Sequence, residues 1–130
     1  MTGIDTNVLI RFVMADDLEQ YHKADRLMQS LSIQSPGFIT YVCIAEFVWM
    51  LETRYGKPKA TIAEWLTRLA ESDELVLENR EAVKQALIRY STTASDFADC
   101  PIERAGFLAG CARTVTFDEG AAETTGMRLL

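Results

Sequence analysis

Short apolar runs of strand length alternate with longer stretches of helical periodicity, and this alternation restricts the fold more than any other feature of the chain. Strand, helix, strand, helix is the pattern of an α/β domain with a mostly parallel sheet, because parallel neighbours need a crossover between them. The strand-like runs are a very short one ending at Asp5, then Gly37 to Thr40, Glu74 to Glu78, Arg113 to Phe117 and Met127 to Leu130. Leu75-Val76-Leu77 is continuously apolar, which predicts a strand covered on both faces. Tyr21, Ala24, Leu27, Met28 and Leu31 recur at helical spacing, as do Ile62, Trp65, Leu66 and Leu69, and Val83, Ala86, Leu87 and Tyr90. Thr6 or Asn7 is expected to cap a helix running to about Met14, and Asp16 or Asp17 the next. A helix from about Val42 to Tyr55 is closed by Gly56 and Pro58, and Ser95 or Asp96 starts one that reaches about Cys111. Gly106 and Gly110, one turn apart on it, predict close packing against a neighbour. With 130 residues, 48% of them hydrophobic, residues 1–130 suit one domain with a full core.

Four carboxylates interrupt the apolar runs. Asp5 lies in GIDTNVLI, Glu46 in YVCIAEFVWML, Asp99 in DFADC and Asp118 in TVTFDEG. Read as buried and unpaired, such groups need a partner, a proton or a metal ion. No matching supply of buried-looking Lys or Arg accompanies them, so one or two hard divalent cations held by carboxylate oxygens resolve the problem. Functional groups in parallel α/β sheets gather beyond the carboxyl ends of the strands. Asp5 and Asp118 end strands, while Glu46 and Asp99 lie about a turn into helices, so all four are expected to converge. Glu46 has apolar neighbours almost all round, with Ile44, Phe47, Val48 and Leu51 on one side and Val42, Cys43, Trp49 and Met50 on the other. The alternative is a solvated strip on which it pairs with Arg54 or Lys57.

Each of the other acids has its own alternative. Asp5-Thr6-Asn7 also reads as a strand end and helix cap, with Asn7 able to orient the Asp5 carboxylate. Asp96 suits an N-cap and Asp99 the first turn, so Asp99 is taken as ligand and Asp96 as cap or supporting group. Glu103, four residues after Asp99, either lines the site or is exposed. Asp118 precedes Glu119, so a solvated turn is its alternative.

A formal net charge of −6 argues against a passive electrostatic binder of nucleic acid, though 13 Lys and Arg remain for local phosphate contacts. Cys43, Cys100 and Cys111 are odd in number, form no CxxC pair and lie in apolar helical context. They are expected to be reduced and packed in a cytoplasmic protein. With His22 the single histidine, a zinc site of His and Cys ligands is not expected. Asp5 breaks the N-terminal stretch, so no secretion signal is read, and the run around Glu46 is too short and acidic to span a membrane.

IDTNVLIRF at the start, AEFVWML in the middle, DFADC before the sixth helix and GCARTVTFDEGAA near the end occur in this order, closed by GMRLL. The ordered set resembles PIN-domain ribonucleases, specifically the VapC-type toxins of type II toxin–antitoxin pairs, over nearly the whole chain. The resemblance implies a PIN-like three-layer α/β domain, its mostly parallel central sheet of four to five strands flanked by helices. It implies an endoribonuclease that binds Mg²⁺ or Mn²⁺ through clustered acids and leaves a 5′ phosphate and a 3′ hydroxyl. Asp5, Glu46, Asp99 and Asp118 match the family's catalytic, metal-binding acids, with Asp5 and Asp99 the first choices as direct ligands. Asn7, Thr116 and Arg11 match recurrent polar and basic positions, and Asp96 is the added supporting group. The implied partners are an RNA substrate, a cognate protein antitoxin with a DNA-binding part, and a second copy of the chain. Tyr21, Tyr41, Arg11 and Arg54 either meet RNA or sit on an ordinary surface. After DFADC the family usually continues with small and aliphatic residues, whereas Pro101, Glu103 and Arg104 stand here.

Two other readings compete. A haloacid-dehalogenase-like phosphoryl-transfer domain also ends its first strand in Asp, but wants a second Asp where Asn7 stands and a Lys before the last acidic motif. A catalytically weak partner-binding module is the other.

Overall fold

Three short strands, β1 (Thr2–Gly3), β2 (Gly37–Ile39) and β3 (Leu75–Leu77), pair in that order in the computed structural model, which describes residues 1–94 and 96–130. Both pairings are parallel, with Thr2 opposite Gly37 and Ile39 opposite Leu77. β4 (Val115–Thr116) and β5 (Arg128–Leu129) pair in parallel as a second sheet. The α/β class and parallel sense are therefore as expected, with the five strands divided three and two. Gly37 allows the close approach at the centre of the first sheet. A Cβ there would stand 2.5 Å from Ile4 Cδ1 and 3.0 Å from side-chain carbons of Leu31 and Leu75.

The crossovers are helical: α1 (Thr6–Met14), α2 (Leu18–Ser30), α3 (Tyr41–Thr53), α4 (Lys59–Glu71), α5 (Arg80–Thr92), α6 (Asp99–Leu108) and α7 (Glu119–Thr125). Caps set their starts. Asp17 Oδ1 accepts from Gln20 N at 3.0 Å, and Thr40 Oγ1 from Cys43 N at 3.1 Å. α1 is capped by Asp5 itself rather than by Thr6 or Asn7, since its carboxylate accepts from Asn7 N. α6 starts at Asp99, later than the spacing suggests, and Ser95 lies outside the described residues. It also ends sooner, at Leu108, because Gly110 takes φ +91°, where a helix cannot continue. Gly106 does pack closely, a Cβ there being 2.7 Å from Thr114 Oγ1, whereas a Cβ on Gly110 would meet nothing within 4 Å. Cys111 therefore falls beyond the helix and is exposed, while Cys100 is buried and Cys43 half-buried.

Ile4, Leu9, Ile10, Ile39, Ile44, Phe47, Leu51, Ile62, Leu66 and Val83 form the core between sheet and helices. Each such side chain contributes roughly 1.5–3 kcal/mol on burial. Leu75 and Leu77 join it, but Val76 is 38% exposed, so β3 is covered on one face only. Alternation along a strand turns Val76 away from its neighbours, and its apolar character alone cannot supply a second layer. Tyr90 is fully buried and locks α5 to its surroundings: its hydroxyl donates to Glu52 at 2.6 Å, its ring meets Phe97 edge-on, and Lys59 Nζ lies 4.5 Å from its centroid. No helix among the described residues is long and apolar enough to cross a membrane.

Glu103 neither lines the acidic edge nor faces solvent. It is 8% exposed, held by Nε and Nη2 of Arg104 and by Arg89 at 3.3 Å, and so clamps α6 to α5. Arg104 also lies 4.7 Å from the centroid of Phe107. Pro101 occupies the first turn of α6, where an amide hydrogen is not needed. Breaking a buried pair by removing one partner costs about 3–5 kcal/mol, and less where water reaches the survivors. Glu103→Ala should therefore lower the urea-unfolding free energy by about 1–3 kcal/mol. An unchanged midpoint would show that the cluster is not a structural clamp.

Candidate functional site

Burial sets the rotation of α3, and with it the position of Glu46. Ile44, Phe47, Val48 and Leu51 turn into the core, which leaves Val42, Glu46 and Trp49 on an exposed strip. Asp5 and Asp118 are exposed as well, and Asp99 is half-buried. The reading of these acids as buried charges is corrected: Ile44, Phe47, Val48 and Leu51 turn to the far side of α3, while Val42 and Trp49 beside Glu46 and Phe117 beside Asp118 are themselves exposed and cover nothing. The shared property of the acids is different. None of the four forms an ion pair with a Lys or Arg among the described residues, including the Arg54 and Lys57 suggested for Glu46.

The four acids fall into two groups. In the first, Asp5 caps α1, and the next residue, Thr6, donates from Oγ1 to Glu46 Oε2 at 2.8 Å. The Cys43 thiol donates to the Ile4 carbonyl at 3.7 Å, a second tie between α3 and the β1–α1 junction. Sequence reasoning assigns Thr6 only a capping role, yet its hydroxyl is what orients Glu46. The available signal is a Thr directly after a strand-end acid.

In the second group, Asp96, Asp99 and Asp118 line a pocket of about 120 Å³ with Gly120 and Thr124. Thr116 Oγ1 accepts from Asp118 N at 3.0 Å, and Asp118 Oδ1 caps α7 by accepting from Ala121 N at 2.9 Å. Asp96 is exposed and makes no capping bond to α6, so it is a wall of the pocket rather than a cap. Burial first, and then the charges of Asp118 and Asp96, push the Asp99 carboxyl above its usual value. Tyr41, at the start of α3, has a buried hydroxyl with no hydrogen-bond partner among the described residues, and burial and the nearby Cys100 push that phenol up to about 12. Arg11 is engaged by Asp16 at 3.1 Å and Gln20 at 2.6 Å.

The two groups do not close into one ready cation site. Among the described residues, no three Asp, Glu, His or Cys side chains are placed to hold an ion. The donor chemistry nevertheless fits a hard divalent cation. Asp5, Glu46 and Asp118 each have one oxygen tied by a local hydrogen bond, with no described partner for the other. Asp99 has no hydrogen-bond partner among the described residues, and its carboxyl is raised first by burial and then by the charges of Asp118 and Asp96. Mg²⁺ or Mn²⁺ would offset those charges.

The family model described as PIN domain matches residues 4–126. No curated protein matches the chain.

Burial of Asp99 beside Asp118 and Asp96 has a pH signature. Its folded carboxyl binds a proton more tightly than the unfolded one, so apo stability falls as pH rises from the ordinary aspartate range through the raised value. Asp99→Asn in EDTA should therefore be more stable than the parent at neutral pH, with the gain vanishing below the ordinary aspartate range. Saturating Mn²⁺ should raise the parent's melting temperature by about 2–8 °C for each kcal/mol of binding linkage, and the variant's far less. Equal responses of the two proteins in a thermal melt would remove Asp99 from the metal centre.

Proposed function

The chain belongs to the PIN-domain family, a nuclease-type domain, and from that premise we propose that it is a metal-dependent endoribonuclease, the toxin of a toxin–antitoxin pair. The observation that carries this reading is the carboxylate edge without counter-charge: Asp99 and Asp118 in one pocket, with Asp5 and Glu46 joined through Thr6. Asp5 and Asp99 are the proposed direct ligands of Mg²⁺ or Mn²⁺, with Glu46 and Asp118 completing the shell. A bound divalent cation lowers the pKa of water and draws charge from a phosphoryl oxygen. Glu46 or Asp118, each with one oxygen held in place and the other open, accepts the proton released as water adds to phosphorus; the phosphorus–O3′ bond breaks, and the leaving 3′ oxygen takes up a proton from solvent. The products are a 5′ phosphate and a 3′ hydroxyl. Thr116 positions Asp118, and Asp96 adds to the local negative charge. Asn7 lines a groove between α1 and α2, and its proposed role is to orient substrate. Arg11 shares that groove with its guanidinium already engaged, so its proposed contribution is to the groove wall.

The same acidic edge attracts the basic segment of a protein antitoxin, whose other part binds DNA. We propose a homodimer in the cytoplasm, its apolar surface including the exposed Ile102, Phe107 and Leu108 on α6. Nothing favours the phosphoryl-transfer alternative: Asn7 stands where its second Asp would be.

The purified protein should cut single-stranded RNA with Mn²⁺ or Mg²⁺ and stop in EDTA. Asp5→Asn and Asp99→Asn should each lower the rate by about 10²-fold or more while keeping a cooperative thermal melt. Expression alone should arrest bacterial growth, and Asp99→Asn should relieve the arrest. Cleavage by either variant at the parent rate would refute the assigned centre, and harmless expression of an active parent would refute the toxin role.

A further inference from the structure

Trp49 is 56% exposed although burying its indole would be strongly favourable. It borders a cleft of about 230 Å³ between α3 and residues 96–98, with Ala45, Val48, Glu52, Asp96 and Phe97 as the other main walls. That is below the roughly 300–1,000 Å³ of sites for drug-sized ligands, a size suited to a single ring system. The cleft is built on fixed parts. Phe97 is buried and meets the fully buried Tyr90 edge-on with ring centroids 5.4 Å apart. The Tyr90 hydroxyl donates to Glu52 Oε1 at 2.6 Å, which holds that carboxylate at the cleft.

Its location connects it to the acids. Asp96 lines both this cleft and the pocket of Asp99 and Asp118, so the two concavities share a wall. Trp49 also follows Glu46 by one helical turn on the same strip of α3. Two carboxylates at the rim repel a phosphate but accept hydrogen bonds from a neutral ring that carries N–H groups. An aromatic face with acceptors beside it is how unpaired bases are held.

We propose that this cleft binds one unpaired nucleobase of the RNA, stacked on Trp49, next to the phosphate presented to the acids. Glu52 favours bases with an exocyclic amino group over uracil, whose single edge N–H lies between two carbonyl oxygens that a carboxylate repels. The substrate class rests on the ribonuclease reading above, whereas the cleft itself can be probed without cleavage.

Trp49 is one of two tryptophans, so Trp65→Phe leaves it as the sole tryptophan, excited selectively at wavelengths the four tyrosines do not absorb. In that background, with Asp99→Asn to prevent cutting, short uridine oligoribonucleotides carrying a central G, A, C or U are titrated with Mg²⁺ present. Saturable quenching is expected, tightest for the amino-bearing bases, with Glu52→Gln flattening the preference. In the otherwise unaltered enzyme, Trp49→Ala should raise KM about ten-fold and shift the cleavage pattern with little change in kcat, and Trp49→Phe should retain most of the affinity. Quenching by a parent protein that cuts no RNA would support the cleft and remove the nuclease reading. Active enzyme with neither quenching nor a change in KM would overturn the cleft and leave the nuclease reading standing. Trp49→Ala that instead changes the mass in light scattering, without affecting RNA, would make the strip a protein interface and overturn it as well.

Discussion

Everything at the acidic edge depends on how α3 buries one side. A helix turns by about 100° per residue, so a continuous inward face at Ile44, Phe47, Val48 and Leu51 leaves no freedom for Glu46. Rotating the helix to hide Glu46 would expose Phe47 or Val48, at a cost of roughly 1.5–3 kcal/mol for each side chain. Packing thus fixes the carboxylate on the side where Thr6 can reach it. The same rotation leaves Trp49 outside, beside the loop that leads into α6. The core determines where the site stands, without contributing a single functional atom.

Charge is distributed with the same economy. Several basic side chains serve the fold away from the acidic edge: Arg11 holds Asp16, Arg89 and Arg104 hold Glu103, and Arg80 donates to the carbonyls of Ala70 and Leu75. Lys59 donates to the carbonyls of Tyr90 and Thr93 at the end of α5, where a cation also suits the helix dipole. Asp5, Glu46, Asp99 and Asp118 have no such ion-pair partner among the described residues. Carboxylates left in that state repel one another, and they repel RNA. The edge is therefore a poor surface for nucleic acid until cationic charge arrives, which reconciles a net charge of −6 with a nuclease-type domain.

Much of this was legible from residue order, and the losses have physical causes. The strand runs were visible because apolar clusters between turn residues mark them, but how many residues pair depends on partners distant in sequence, hence ladders of two or three residues. The four acids were legible as a set, although for a reason that failed. Apolar neighbours in a window say nothing about azimuth, and Val42 and Trp49, counted as cover for Glu46, stand exposed beside it. Spacing alone did contain the answer, because Ile44, Phe47, Val48 and Leu51 already define an inward face that excludes position 46. Glu103 was not legible, since one of its cations, Arg89, comes from another helix. Thr6 was hidden for the same reason: its partner lies 40 positions away.

Three of the four acids stand at helix N-termini: Asp5 and Asp118 as caps, Asp99 as the first residue of α6. Capping alone explains a carboxylate at such places, and for Asp5 and Asp118 it explains one oxygen each. It does not explain Asp99, which makes no cap bond and sits beside two like charges that a solvated helix start would avoid. Helix termini favour anions by about 0.3–1 kcal/mol, a modest offset to that repulsion. Asp5, Glu46 and Asp118 are carboxylates held at one oxygen and open at the other. Such groups are oriented before any cation arrives, so less ordering remains to be done on binding. In the proposed metal-bound form the repulsion between Asp99 and its neighbours Asp118 and Asp96 would be relieved by the cation rather than by the fold, and the cost in apo stability would be the counterpart of affinity for positive charge.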